Sequence, residues 1–167
     1  MSIGGNVIRV TPIVTTAAYT DGDVLFNATE IPNAVGTRGG VSRIIGLSAV
    51  CIDADFVDCE LIFHQTGGIA FGLINSQPAI SDEDTLNLNY LGSIQMQNSN
   101  WRSNDSSVNS ATSLYTHAFS ESDASPIAFL FKADEGSRSV YVSALAQEST
   151  DFASISDLQL IFHVQYL

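Results

Sequence analysis

The sequence predicts an all-β protein: an antiparallel β-sandwich of jelly-roll-like organisation with one short helix near residues 81–91. Three observations lead there. Runs rich in Val, Ile, Thr and Phe recur along the chain, divided by Gly-, Ser- and Asp-containing turns. One segment alone carries the signals of a helix start. The helical crossovers that a parallel sheet requires have no counterpart in the pattern.

The elements follow in order. Residues 6–16 form the first strand candidate, and Pro12 assigns it to an edge or a bulge, because proline donates no ladder hydrogen bond. Asp21-Gly22-Asp23 turns the chain into Val24-Leu25-Phe26, and residues 36–40 are a Gly-rich loop. Residues 41–52 and 56–65 read as two long strands around Asp53-Ala54-Asp55. A hairpin centred on Asp55 sets Cys51 opposite Cys59, Ala49 opposite Leu61 and Leu47 opposite Phe63, making one apolar face. The cysteines are expected as small buried thiols, the usual state in a cytoplasmic product.

Ser81 then offers an N-cap hydroxyl, with Asp82, Glu83 and Asp84 suited to the positive end of a helix dipole. Leu86 and Tyr90 are expected on the buried side of this helix, with Gly92 ending it. Further strands are expected at 113–119, 127–132, 139–145 and 158–166. The last alternates Leu158, Leu160, Phe162, Val164 and Tyr166 on one face with Gln159, Ile161, His163 and Gln165 on the other. Leu61-Ile62-Phe63-His64 recurs as Leu160-Ile161-Phe162-His163, each with an Asp three positions before its Leu. A duplicated half or two strands in matching places of a two-sheet core would explain this. The flanks do not extend the similarity, which favours convergence of two amphipathic strands.

Composition narrows the function. Of 167 residues, 18 are Asp or Glu and 6 are Lys or Arg, a formal charge of −12. Charged types make up 14%, against about a quarter in ordinary soluble chains, while 45% of residues are apolar. The apolar share excludes a disordered acidic tail. The acidity argues against nucleic acid as a partner, since phosphates are repelled. The stretch around residues 44–52 is too short and too interrupted to span a membrane. The start has neither the basic region nor the apolar run of a secretory signal, so a product that stays in the cytoplasm where it is made, unless it leaves inside a larger particle, is expected.

Signatures of chemistry are missing from the sequence, and no enzyme, metal or cofactor is expected. It has no Gly-x-Ser-x-Gly, no His-Glu-x-x-His and no Gly-x-x-x-x-Gly-Lys. Residues 67–72 are glycine-rich but spaced as a loop between strands. His64, His117 and His163 each sit on a strand pattern without a second ligand two residues away, and are expected on half-buried faces. Two of them facing each other across sheets would make a pH-sensitive contact. Asp53, Asp55 and Asp58 lack the remaining calcium ligands of an EF-hand, and Asp53 and Asp55 are better read as turn formers. The polar run 97–112 holds the single tryptophan, Trp101, followed by Arg102. This pair is either an interface hot spot or a pin holding the run to the domain. Asn27-Ala28-Thr29 and Asn104-Asp105-Ser106 match the glycosylation pattern and carry no meaning without secretion.

Several segments, in their order, resemble small virion proteins of tailed bacteriophages, the capsid decoration (cement) proteins of marine and cyanobacterial phages. The shared features are Ala-Tyr-x-x-Gly-Asp-Val-Leu at residues 18–25, Gly-Gly-Val-Ser at 39–42, an acidic turn, and Ile-Ser-Asp-x-Asp at 80–84. The similarity runs from near the first residue to the last and is weakest across 97–112. It implies a jelly-roll-like fold, a homotrimer on the exterior of the virion head and the major capsid protein as partner. On that basis residues 1–10 are expected as an N-terminal arm and 11–167 as a single β-sandwich domain. Contacts with the shell or with sister subunits are then expected from Ile3, Val7, Ile8 and Arg9 together with Trp101 and Arg102. The alternative is a tail or host-adhesion protein whose Asn- and Ser-rich loop stacks Trp101 on a sugar. A cupin-like sugar-processing enzyme would require a histidine cluster that three scattered residues do not supply.

Overall fold

The computed structural model describes residues 4–52, 57–103, 113–118 and 129–167. Among these lie ten strands: β1 (Gly5–Val10), β2 (Val24–Ile31), β3 (Val41–Cys51), β4 (Cys59–His64), β5 (Tyr90–Met96), β6 (Trp101–Ser103), β7 (Ser113–Ala118), β8 (Leu130–Lys132), β9 (Val140–Ala146) and β10 (Leu158–Tyr166). One helix, α1 (Asp82–Asn87), precedes β5. All strand pairs are antiparallel. A six-stranded sheet runs β1-β10-β3-β7-β6, with β8 beside β7 along the same edge of β3. A four-stranded sheet runs β2-β9-β4-β5.

The pairing is nested. β4 pairs with β5, β3 with β8, β2 with β9 and β1 with β10, so the chain is one long hairpin rolled onto itself. Rolling closes it through two further ladders, β10 to β3 and β9 to β4. This is jelly-roll connectivity, and it makes an antiparallel sandwich.

Two sequence-based expectations fail here. Gly5–Val10 is no arm: it is the edge strand of the six-stranded sheet, with Ile8 and Val10 buried in the core. Pro12 lies just past it, as an edge strand allows. The expected hairpin of β3 with β4 does not form either, because the two strands belong to different sheets. Their apolar faces still meet as the two inner walls of the sandwich, so the alternation alone could not distinguish the arrangements. Cys51 and Cys59 are both buried in the core without a disulfide, and burial pushes the Cys59 thiol upward. Asp53 and Asp55 lie outside the described residues.

The two similar tetrapeptides face each other. Leu61 and Phe63 point inward from β4, flanked by β9 and β5, and Leu160 and Phe162 point inward from β10, flanked by β1 and β3. The Phe63 ring stands 5.8 Å from Phe162, 5.3 Å from Phe131 and 5.0 Å from Phe129. Gly92, opposite Phe63 on β5, leaves room for this cluster: a Cβ there would come within 2.7 Å of the Phe129 ring. Its φ of 143° also suits glycine alone.

The motif at residues 18–25 is a knot that delivers the chain into β2. Tyr19 is wholly buried; its hydroxyl accepts from the Thr15 amide at 2.7 Å and donates to the Leu25 carbonyl at 3.1 Å. The Asp23 carboxylate accepts from the amide and hydroxyl of Thr20, each at 2.8 Å, and Gly22 takes a φ of 85°. These bonds hold the Asp23 carboxyl below its usual range.

The helix begins where expected. Ser81 Oγ accepts from the Asp84 amide at 3.1 Å. It ends earlier, at Asn87, with Asn89 just beyond at φ 52°, and Gly92 is part of β5. Leu86 and Tyr90 are exposed, and the buried anchor is Leu88. The α1 segment is short and rides on a longer excursion, so its apolar spacing does not define an inner face.

Replacing Phe63 with Ala removes three ring contacts at once, and a loss of about 3–5 kcal/mol is expected in urea unfolding. Thiol titration is expected to find both cysteines inert in the folded protein and free after denaturation.

Candidate interaction surface

The strands of the six-stranded sheet contain none of the 18 acidic residues, although the chain carries −12. Its outward positions follow from the register. Arg9, Ile161 and Ser48 form one row across β1, β10 and β3. Val7, His163 and Gly46 form the next. Gly5, Gln165, Arg43 and Leu130 form a third, reaching β8. Arg43 Nε donates to Gln165 Oε1 at 2.5 Å, tying two of these side chains together.

A bulge enlarges the apolar part of this face. His163 pairs with Gly46 and Val164 with Ile44, so Ile45 is an extra residue on β3. It reverses the inward phase: Ser42 and Ile44 are buried before it, Leu47 and Ala49 after it. Ile45 is left outward at 46% exposure, beside Val7 at 46% and Leu130 at 49%. Four of the six basic residues belong to the strands of this sheet: Arg9 on β1, Arg43 on β3, Arg102 on β6 and Lys132 on β8.

The expected contact residues divide accordingly. Val7 and Arg9 are exposed on this face, and Ile8, between them, points into the core. Ile3 lies outside the described residues. Trp101 is buried, and its Nε1 donates to the Val57 carbonyl at 2.9 Å, so it pins β6 to the domain. Arg102, the next residue, is exposed on the outer face. It sits at the far edge from Arg9, four strand spacings or about 19 Å away. Sequence reading missed Ile45, Arg43, Leu130 and Lys132, because their common face exists only through long-range pairing.

The opposite side of the sandwich is different. Residues 65–89 leave β4 and return to β5 as a strap over the outer face of the four-stranded sheet. Phe71 and Leu88 pack there on Val24, separate from the main core. Asn27 of β2 clamps the strap: its Oδ1 accepts from the Phe71 amide at 2.8 Å and its Nδ2 donates to the Gly72 carbonyl at 2.9 Å. The strap and the four-stranded sheet contribute Glu30, Glu60, Asp82, Glu83 and Asp84, and no Lys or Arg.

His64 lies fully buried beneath the strap, with its ring stacked on Tyr141 at 6.2 Å. Its Nδ1 donates to the Thr66 carbonyl at 2.8 Å, which leaves Nε2 to accept from the Ser143 hydroxyl at 3.1 Å. A hydroxyl on an oriented imidazole is the arrangement of an activated nucleophile. Here Ser143 is itself 1% exposed, so the pair fastens strap to sheet and meets no substrate. His163 is on the outer face of the other sheet, so the two histidines point away from each other with the core between. The side chain of His117, on β7, lies outside the described residues.

A shallow groove of about 370 Å³ beside β2 is lined by Thr11, Ile13, Asn27, Ala28, Thr29 and Ile74. Its Asn27 amide serves the strap, and the Thr29 hydroxyl donates to the Asn27 carbonyl at 3.1 Å. Among the described residues, no three His, Cys, Asp or Glu side chains gather as a metal site. Comparison with family models and with curated proteins finds no match to this chain.

Burial holds His64 below the ordinary histidine range, more strongly than its bond to Thr66 raises it. The unfolded chain therefore binds the extra proton first, and stability present above about pH 6.5 falls as pH drops. Between about pH 6.5 and 5, unfolding free energy is expected to decline in the natural protein and to be flatter in His64→Gln, as read by urea titrations.

Proposed function

We propose that this protein is a non-enzymatic structural component of a phage virion, a head decoration protein that binds the shell of major capsid protein and reinforces it. The observation that carries this reading is the outward face of the six-stranded sheet. A sheet face whose strands carry no acidic residue, with exposed Val7, Ile45 and Leu130 interspersed with arginines, suits protein contact with shell or sister subunit. The rolled-hairpin architecture recurs in viral coat proteins, which is an analogy of fold. The sequence resemblance adds the head as the location.

The mechanism is linkage. A subunit that binds the assembled shell and not its separated parts stabilises the shell by about 2.7 kcal/mol per site at a hundredfold excess over Kd. Rigidity helps, because a sandwich that docks without reorganising loses little conformational entropy.

The test is electron microscopy of gold-labelled protein on virions of the phage that encodes it. Label spread over the heads, with heads that rupture at higher temperature, is the expected result. Label confined to tails would transfer the protein to host adhesion, and absence of label would remove the virion role.

A further inference from the structure

We propose that the outer face of the six-stranded sheet, whose strands carry no acidic residue, seats on the acidic side of a second copy, so that subunits associate face to back. This goes beyond a place on the virion and does not depend on it. The two sides of the sandwich have opposite sign by construction. One sheet's strands carry Arg9, Arg43, Arg102 and Lys132 with no acid. The other sheet and its strap carry acids with no Lys or Arg, and Asp82, Glu83 and Asp84 are exposed on α1. An acidic surface is what the first face complements, and every copy of the chain brings one.

The face carries apolar as well as charged groups. Val7 on β1, Ile45 on β3 and Leu130 on β8 are exposed on it, interspersed with the basic residues, and their burial adds to the charge pairing. Five strand positions and about six residues of length give a face of about 24 by 20 Å, or about 500 Å². That is below the ~800 Å² per partner of a standard stable interface, so the association is weak.

Front and back lie on opposite sides of the molecule. The contact is therefore heterologous and repeats from copy to copy, forming a series of species instead of one closed dimer. Net charge opposes it. At low salt the −12 of each copy repels the next over a long range, whereas at about 0.15 M the Debye length of ~8 Å leaves only the facing surfaces in play. High salt weakens the facing pairs in turn.

Sedimentation velocity on the full chain tests this. Self-association is expected to be strongest near 0.15 M salt and weaker at both about 0.02 M and about 1 M. Arg9→Glu/Arg102→Glu and, separately, Asp82→Lys/Glu83→Lys, which spares the Asp84 carboxylate bonded to Ser81, are each expected to weaken it at least about tenfold, with circular dichroism showing that each variant keeps the sandwich fold. An equimolar mixture of the two variants is expected to associate again. A protein that stays monomeric at every salt concentration overturns the proposal. So does association indifferent to Arg9→Glu/Arg102→Glu, or a mixture that fails to recover. Head binding in the microscopy above is read independently, so either result can fail alone.

Discussion

The Phe63 side chain is the contact on which the sandwich depends. It reaches from the four-stranded sheet to Phe162 of the opposite sheet and to Phe129 and Phe131 at the start of β8. Rings at 5.0 to 5.8 Å in tilted or edge-on arrangements fix both the gap and the relative position of the two sheets. β8 pairs with β3 where the inward phase is that of Ser42 and Ile44, ahead of the bulge. The bulge at Ile45 thus reconciles two registers: one that serves the ring cluster, and one that carries Leu47, Ala49 and Cys51 inward beside β7. Without the extra residue, one half of β3 would turn its apolar side chains to solvent.

Much of this was legible in the sequence, and its limits have a physical pattern. Alternation at period two identified β10 residue by residue, and the inward faces of β3 and β4 were read correctly. Local chemistry placed the turn at Asp21-Gly22-Asp23 and the cap at Ser81, since both are closed by bonds three residues long or shorter. Partnership was not legible. An apolar face says that something covers it but not which strand, so β3 and β4 looked like a hairpin when they are opposite walls. β5 was missed because Gly92 and polar Ser93 and Gln95 interrupt its pattern, and that glycine is needed by a ring 37 positions later in the chain, Phe129. The helix was overextended for the complementary reason: Leu86 and Tyr90 have helical spacing but no surface to meet.

The interaction surface was only half visible. Arg102 stands out locally beside Trp101 and Arg9 only through the arm that the resemblance implies; they are 93 residues apart in the chain and share a face because five strand positions are laid side by side. Trp101 and Arg102 illustrate the division of labour that alternation imposes. Adjacent residues on a strand point oppositely, so the indole secures the core and the guanidinium faces outward. The same rule separates Ile8 from its neighbours Val7 and Arg9.

The strap over the four-stranded sheet divides the molecule energetically. Its two ends meet, with the Gln65 amide bonded to the Asn89 carbonyl and the Thr66 amide to the Leu88 carbonyl. Its apolar cluster is distinct from the core that Phe63 organises. A segment with closed ends and a private core is a cooperative unit of its own. Opening such a unit leaves the pairing within the two sheets intact, so amide protons of residues 65–89 are expected to exchange by a shallower opening than those of β3, β4 or β10. Asp82, Glu83 and Asp84 of the acidic side thus ride on the cover, whereas Glu30 and Glu60, like the cations of the other sheet, belong to the framework itself.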